Sequence, residues 1–155
     1  MQKKELDSID RRILRLLIAD ARISLHEIGE SVGLSSSPCW QRIKRMETAG
    51  VIKGYSARID PEGLGFRDSV IVQLTLESHS DEMLEGFGRA LRDIPEVIEA
   101  FLVSGEYDYY VRFAVRDTRD YERLLREKLY RIPGIRHSVS SFILKELKER
   151  SVPLD

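Results

Sequence analysis

The stretch Val32-Gly33-Leu34-Ser35-Ser36-Ser37-Pro38-Cys39-Trp40-Gln41-Arg42-Ile43-Lys44-Arg45-Met46 decides the fold of the first third of the chain. Gly33 falls where a helix must stop, because glycine turns left-handed without steric cost. Beyond it, Ser35 is a good N-cap. Pro38 falls in the first turn of the next helix, where its missing N–H would have had no partner anyway. The spacing predicts a helix over 36–48. Cys39, Ile43, Met46 and Gly50 share one face, and Ser37, Gln41, Lys44, Arg45 and Thr48 the opposite one, with Trp40 at its edge.

Upstream, Leu25, Ile28 and Val32 form an apolar stripe. Ser24 and Glu27 have capping-box spacing, the hydroxyl taking a free backbone N–H while the carboxylate reaches back to the cap. A short helix over 25–32 follows. Leu6, Ile9, Ile13, Leu16 and Leu17 recur at helical spacing between Asp10, Arg11, Arg12 and Arg15, which predicts a first helix over 8–20 capped by Asp7 or Ser8. Helix, short helix, glycine turn and a helix with a basic polar outer face is the order of a helix-turn-helix. Downstream, residues 51–59 change to period two and read as two short strands around Gly54, a small wing. Residues 60–65, rich in Gly and Pro, read as linker.

A second unit begins near Arg67. Val70, Ile71, Val72, Leu74 and Leu76 mark a strand, and Leu84, Phe87, Leu91 and Ile94 a helix over 81–94. Strands follow over 97–103 and 107–115, the latter with Tyr109, Val111, Phe113 and Val115 on one face. A helix over 118–130 carries Tyr121, Leu124, Leu125 and Leu129 inward. Pro133-Gly134 precedes a long last strand over 135–147. The order β-α-β-β-α-β is that of a ferredoxin-like sandwich, whose two helices cover one face of the sheet. The other face holds Ile71, Tyr110, Arg112 and Ala114. Such an open, half-apolar face pairs with another copy, so a homodimer is expected.

Composition narrows the function. The 155 residues are 42% hydrophobic and 33% charged, a globular balance. The apolar runs 13–19 and 70–76 are broken by Arg15 and Gln73 and fall short of the ~20 residues that cross a bilayer. The polar N-terminus has no apolar core of a secretory leader. With one cysteine, Cys39, neither an intrachain disulfide nor a cysteine-based zinc site is expected, and a reducing cytoplasm is. Residues 1–60 carry 11 basic against 8 acidic side chains, a balance of +3, and residues 61–155 carry 14 against 18, a balance of -4. The asymmetry fits two modules with different partners.

Each motif has a functional and a plain reading. The helix over 36–48 can lie in a major groove, where Arg, Lys and Gln match base-edge acceptors and serines at its start suit phosphates. It can equally be a solvated face. Trp40 either packs at the edge of the core, the more common fate of tryptophan, or touches the sugar-phosphate backbone. Cys39 reads as a small buried hydrophobe. His26, His79 and His137 are scattered without ligand spacing, so no metal is expected. Gly86-Phe87-Gly88 is no dinucleotide fingerprint, and no catalytic motif occurs. Ser104-Gly105-Glu106-Tyr107-Asp108 either makes a tight turn or offers N–H groups to a carboxylate and Asp108 to an ammonium.

Leu6-Asp7, Ile9-Asp10-Arg11, Ile13-Leu14, Arg22-Ile23-Ser24, Val32-Gly33-Leu34-Ser35, Pro38-Cys39, Arg42-Ile43-Lys44-Arg45, Gly50-Val51-Ile52 and Val103-Ser104-Gly105-Glu106-Tyr107-Asp108-Tyr109 together resemble the Lrp/AsnC, or feast/famine, transcription factors. The resemblance runs from about residue 6 to 147. It implies an α+β chain with an N-terminal winged helix-turn-helix (1–55), a linker (56–66) and a βαββαβ ferredoxin-like ligand-binding and oligomerisation (RAM) domain (67–155). It further implies a non-enzymatic, nucleoid-associated DNA-binding regulator without a cofactor, assembled from homodimers into tetramers or octamers. A small amino-acid effector would sit between dimers. Carried over, Ser36, Ser37, Gln41, Arg42, Lys44 and Arg45 would face DNA. Gly105, Tyr107, Asp108, Ser138 and Ser140 would hold the effector, the two serines standing where many relatives have threonine. The alternatives from other classes are a metabolite enzyme on the sandwich unit and an architectural DNA binder without effector.

Overall fold

The computed structural model describes residues 5–148 and 153. The chain divides into two compact units that meet between Arg58 and Ile59.

The first unit holds α1 (Ser8–Ala19), α2 (Leu25–Val32) and α3 (Ser36–Thr48). Asp7 caps α1: its carboxylate accepts the Asp10 N–H at 2.8 Å, and the Asp10 carboxylate accepts the Asp7 N–H at 3.2 Å. This satisfies two of the helix's unpaired donors. Ser24 and Glu27 close the expected box on α2, and Gly33 ends it with φ +76°. The turn from α2 to α3 folds tightly back. Gly33 and Leu34 both donate to the Gly29 carbonyl, and a Cβ at Gly29 would collide with the Leu34 carbonyl oxygen. Ile13, Leu14, Ile28, Val32, Cys39, Ile43 and Met46 are buried together, Cys39 completely, as its place on the inner stripe predicts.

Three expectations change here. Gly50 is not part of the inner face of α3. It follows the helix at φ +70°, exposed, with its N–H on the Glu47 carbonyl. Ser35 stands at the N-cap of α3 but its hydroxyl makes no capping bond. The wing is absent, because residues 51–60 contain no strand. Val51, Tyr55 and Ile59 are exposed there. A lone two-stranded hairpin without an apolar surface to pack on is marginal at best, and the period-two pattern belongs to a chain passing between units.

The second unit holds β1 (Asp68–Leu76), α4 (Asp81–Arg92), β2 (Val97–Leu102), β3 (Tyr109–Val115), α5 (Thr118–Glu127) and β4 (Ile135–Phe142). The sheet order is β2-β3-β1-β4, antiparallel throughout. Val70, Val72, Leu74 and Leu76 of β1 and Tyr109, Val111, Phe113 and Val115 of β3 form one buried face, packed against Phe87, Leu91, Tyr121, Leu124 and Leu129. The opposite face carries Ile71, Phe101 and Tyr110, with Arg112 donating to Ser69 and Glu146. α1, α4 and β2 end, and β3 begins, one or two residues inside their expected bounds, and two elements are shorter by three residues or more. α5 stops at Glu127 and a 3-10 turn over Leu129–Arg131 completes the segment. β4 stops at Phe142, opposite Val70; the Ile143 N–H still donates to the Ser69 carbonyl at 2.8 Å, and Leu144 and Leu147 beyond it are exposed. Among the described residues, no helix is long and apolar enough to cross a membrane.

Candidate functional site

α3 has two unlike faces because the polar residues of Ser36–Thr48 fall opposite its three buried apolar ones. Ser36, Ser37, Trp40, Gln41, Lys44 and Thr48 are exposed. Trp40, Gln41, Lys44, Arg45 and Thr48 border a shallow depression of about 500 Å³. Trp40 is 53% exposed, so it does not pack in the core as the average fate of tryptophan predicts. Lys44 projects outward beside Glu47, 3.3 Å away.

The two arginines that sequence reasoning grouped with this face are turned toward α1. Arg42 Nη1 donates to Asp7 Oδ2 at 2.6 Å and to Asp10 Oδ1 at 2.8 Å. Arg45 donates to Asp10 Oδ2. Asp10 is fully buried, the Arg42 side chain is 24% exposed and that of Arg45 38%. The hydrogen bond from the Asp10 N–H, then that from Arg42, holds the Asp7 carboxyl below the usual range. The bonds to Asp7 and Asp10 raise Arg42 further. A buried carboxylate is tolerable only when paired and hydrogen-bonded, and here two guanidiniums and a backbone N–H meet that need. Asp7 and Asp10 were missed as partners of α3. Their signal in the sequence is acidic residues at capping-box spacing beside the apolar stripe.

In the second unit, Gly105 takes φ +136° in the turn before β3. The Val103 N–H donates to the Asp108 carbonyl at 2.9 Å, which closes that turn. Asp108 already has partners: Oδ2 accepts the Leu76 N–H at 2.7 Å and Oδ1 lies 2.8 Å from His79 Nε2. His79 was read as a scattered histidine; only the fold brings it to Asp108. The Tyr107 ring meets Tyr110 edge-on, 6.1 Å between centroids. Ser138 and Ser140 lie on β4 opposite Leu74 and Val72 of β1. The Ser138 hydroxyl pairs with Tyr130 at 2.9 Å and that of Ser140 with Tyr121. β3 and β4 flank β1, so the backbones that carry the loop and the serines lie two strand spacings apart, about 10 Å, although the Asp108 carboxylate reaches back to β1. One protomer brings Gly105, Tyr107 and Asp108 together and Ser138 and Ser140 together, but not the two groups. Ser138 also lines an open concavity of about 490 Å³ with Tyr130, Pro133, Gly134 and His137. Among the described residues, no three His, Cys, Asp or Glu side chains converge to hold a metal ion.

Comparison with known proteins matches both units. Residues 6–47 fit the AsnC-type helix-turn-helix domain and residues 69–153 the Lrp/AsnC ligand binding domain. The leucine-responsive regulatory protein of Escherichia coli strain K12 is 39% identical over 146 residues, covering 94% of this chain and 89% of that protein. A transcriptional regulator from Neisseria meningitidis, solved in complex with L-methionine, superposes with a TM-score of 0.92 at 32% identity, covering 97% of this chain and 98% of that one. An AsnC family regulator from Agrobacterium tumefaciens gives 0.90 at 36% identity, covering 96% and 97%. The feast or famine regulatory protein from Mycobacterium tuberculosis, complexed with L-methionine, gives 0.85 at 33%, covering 97% and 100%. With both domains matched in order and a relative aligned over nearly its whole length, the chain belongs to the Lrp/AsnC family of transcriptional regulators.

Proposed function

We propose that the exposed face of α3 enters the major groove, with Ser36, Ser37, Gln41 and Lys44 as its contacts. Residues 1–55 thus serve DNA, 56–66 link, and 67–155 bind effector and assemble, the whole acting on the nucleoid in the cytoplasm. The observation that carries this is the polarity of α3: one side is locked into a core while the other is open and polar along its length. Ser35 leaves the start of α3 without a side-chain cap, so the Ser36 and Ser37 N–H groups at the positive end of the dipole suit a phosphate. Arg42 and Arg45 act from behind, as the residues that fix α3 on α1.

The effector is an amino acid. Support comes from the L-methionine complexes of the two relatives and from the turn at Gly105, where backbone N–H groups can take a carboxylate. Asp108, Tyr107, Ser138 and Ser140 complete the site across an interface, because one protomer leaves its two halves about 10 Å apart. Dimers pair through the open sheet face and stack into tetramers or octamers. The effector binds one assembly better than another, and a difference of ~1–3 kcal/mol changes DNA occupancy several-fold.

The experiment is a gel shift on genomic fragments selected by the wild-type protein. Lys44→Glu lowers affinity on the order of tenfold or more, because a phosphate contact becomes a repulsion, with an unchanged circular dichroism spectrum. Unchanged affinity would remove α3 from the interface. A thermal-shift screen of the twenty amino acids identifies the effector, since a ligand that binds only the native state raises its apparent stability.

A further inference from the structure

The family assignment explains why α3 faces outward but not why its two arginines are bound to a buried carboxylate. α3 carries three cationic side chains, Arg42, Lys44 and Arg45. Two of them end on the α1 carboxylates rather than in solvent: Arg42 on Asp7 and Asp10, Arg45 on Asp10. Asp7 and Asp10 balance them charge for charge, and the third cation, Lys44, stands 3.3 Å from Glu47. The outer face of the helix is therefore close to neutral, although its sequence is basic.

This has a cost and a consequence. A fully buried carboxylate loses its hydration, and apolar residues of similar volume would hold two helices together at least as well. What the cluster alters is the charge offered to a duplex. Phosphate attraction is blind to sequence and supplies essentially all of non-specific binding. Each arginine withheld from phosphates lowers binding to every site alike, while Gln41 and the other outward side chains stay free for base edges.

We propose that Asp10 is a specificity-determining positioning residue: by holding Arg42 and Arg45 against α1, it suppresses sequence-blind attachment of α3 to DNA. The proposal rests on α3 as the DNA-facing helix. Asp10 itself does not touch DNA; it acts through the arginines.

The test uses the full-length protein and a mixed-sequence duplex unrelated to any selected fragment, titrated at several salt concentrations. Asp10→Asn keeps the shape and an acceptor oxygen but removes one negative charge. The slope of log K against log salt steepens by about 0.9, one phosphate's worth, and binding at 0.1 M salt tightens by up to about eightfold relative to parity at 1 M. The double variant Asp10→Asn with Arg45→Gln returns the slope to the wild-type value, because the released charge is gone; a merely structural Asp10 would show no such reversal. Asp7→Asn, at a half-exposed position, moves the slope in the same direction by less. It carries the test if Asp10→Asn does not fold. A slope that stays at the wild-type value, or becomes shallower, in the folded variants overturns the proposal. If the wild-type protein binds no DNA and Lys44→Glu changes nothing, the α3 assignment fails instead.

Discussion

Seven buried apolar side chains hold the helix-turn-helix together, against fourteen behind the sheet, and among the described residues only the smaller unit also buries a charge, Asp10. Apolar burial is non-directional: it brings helices together but does not fix how one is rotated against another. In the larger unit, strand register supplies that direction, with Val70, Val72 and Leu74 facing Phe113, Val111 and Tyr109 across the ladder. The three-helix unit has no ladder. Its directional contacts include the Asp7–Asp10–Arg42–Arg45 cluster and the tight turn at Gly29, which act on α3, and a bond from Arg12 of α1 to the Ser31 carbonyl of α2. The unit that must present a helix at a set angle thus uses ion pairs where the other uses backbone bonds.

The sharpest way to break this contrast is to delete one buried side chain from each core. Ile28→Ala and Leu91→Ala remove side chains that are 1% and 0% exposed. Each costs about 2–5 kcal/mol. At ~0.05–0.15 kcal/mol per residue, the first unit has about 3–9 kcal/mol to lose and the second about 5–14. Ile28→Ala therefore takes the larger share of its unit's stability: it lowers exchange protection of residues 5–58 while the sheet stays protected, and Leu91→Ala lowers protection of the sheet while residues 5–58 stay protected. Hydrogen exchange followed by peptide mass reads both in the full chain. Equal loss across both units from either variant would show that they fold as one, and the comparison of separate cores would fall.

The same contrast marks where the sequence is legible. The three helices of the first unit and the β-α-β-β-α-β order follow from apolar period, caps and breakers, all local signals. Ser24, Glu27 and Gly33 bound α2 as their chemistry demands. The wing fails because alternation at Val51, Tyr55 and Ile59 states that a chain is extended, not that it has a partner strand. Where β4 ends depends on its pairing with β1, some seventy residues away in the chain. The outward residues of α3 are legible from helical spacing, but the direction of an arginine side chain is not. Arg42 and Arg45 turn inward because a carboxylate on another helix waits there, 32 and 35 positions earlier in the chain. The pairing of His79 with Asp108 is hidden for the same reason.

A smaller effect separates the units by pH. In the first unit the carboxyls of Asp7 and Glu27 lie below their ordinary values of 3.8 and 4.5. Asp7 is lowered chiefly by the Asp10 N–H and Glu27 by the Ser24 hydroxyl. Their contribution to stability is complete above those ordinary values and is lost as pH falls through the lowered ones. In the second unit, burial raises the Tyr109 and Tyr121 phenols above 10.0. Their contribution is complete below pH 10 and is lost as pH rises through the raised values. Burial raises Tyr55 too, but it is half-exposed in the passage between units. Amide spectra recorded from pH 7 downward should lose peaks of residues 8–48 before those of the sheet, and from pH 7 upward the reverse. The same unit failing first at both ends would contradict the assignment of these groups.

The finest comparison lies within the sheet unit, between its two candidate effector serines. Ser140 pairs with Tyr121, a phenol only 6% exposed, whereas Ser138 pairs with Tyr130, which is 51% exposed. Water can replace the lost partner at Tyr130 but reaches Tyr121 poorly. Ser140→Ala therefore costs about 0.5–1.5 kcal/mol, the net worth of one hydrogen bond, and Ser138→Ala stays within about 0.5 kcal/mol; urea unfolding midpoints resolve the order. Ligand binding need not follow that order. If both hydroxyls face the effector, the two variants weaken binding of the amino acid found by thermal shift to a similar degree despite their unequal stabilities. Loss of affinity only in Ser140→Ala would instead mean that its hydroxyl serves Tyr121 and shapes the site at one remove, and Ser138 would leave the list of effector contacts.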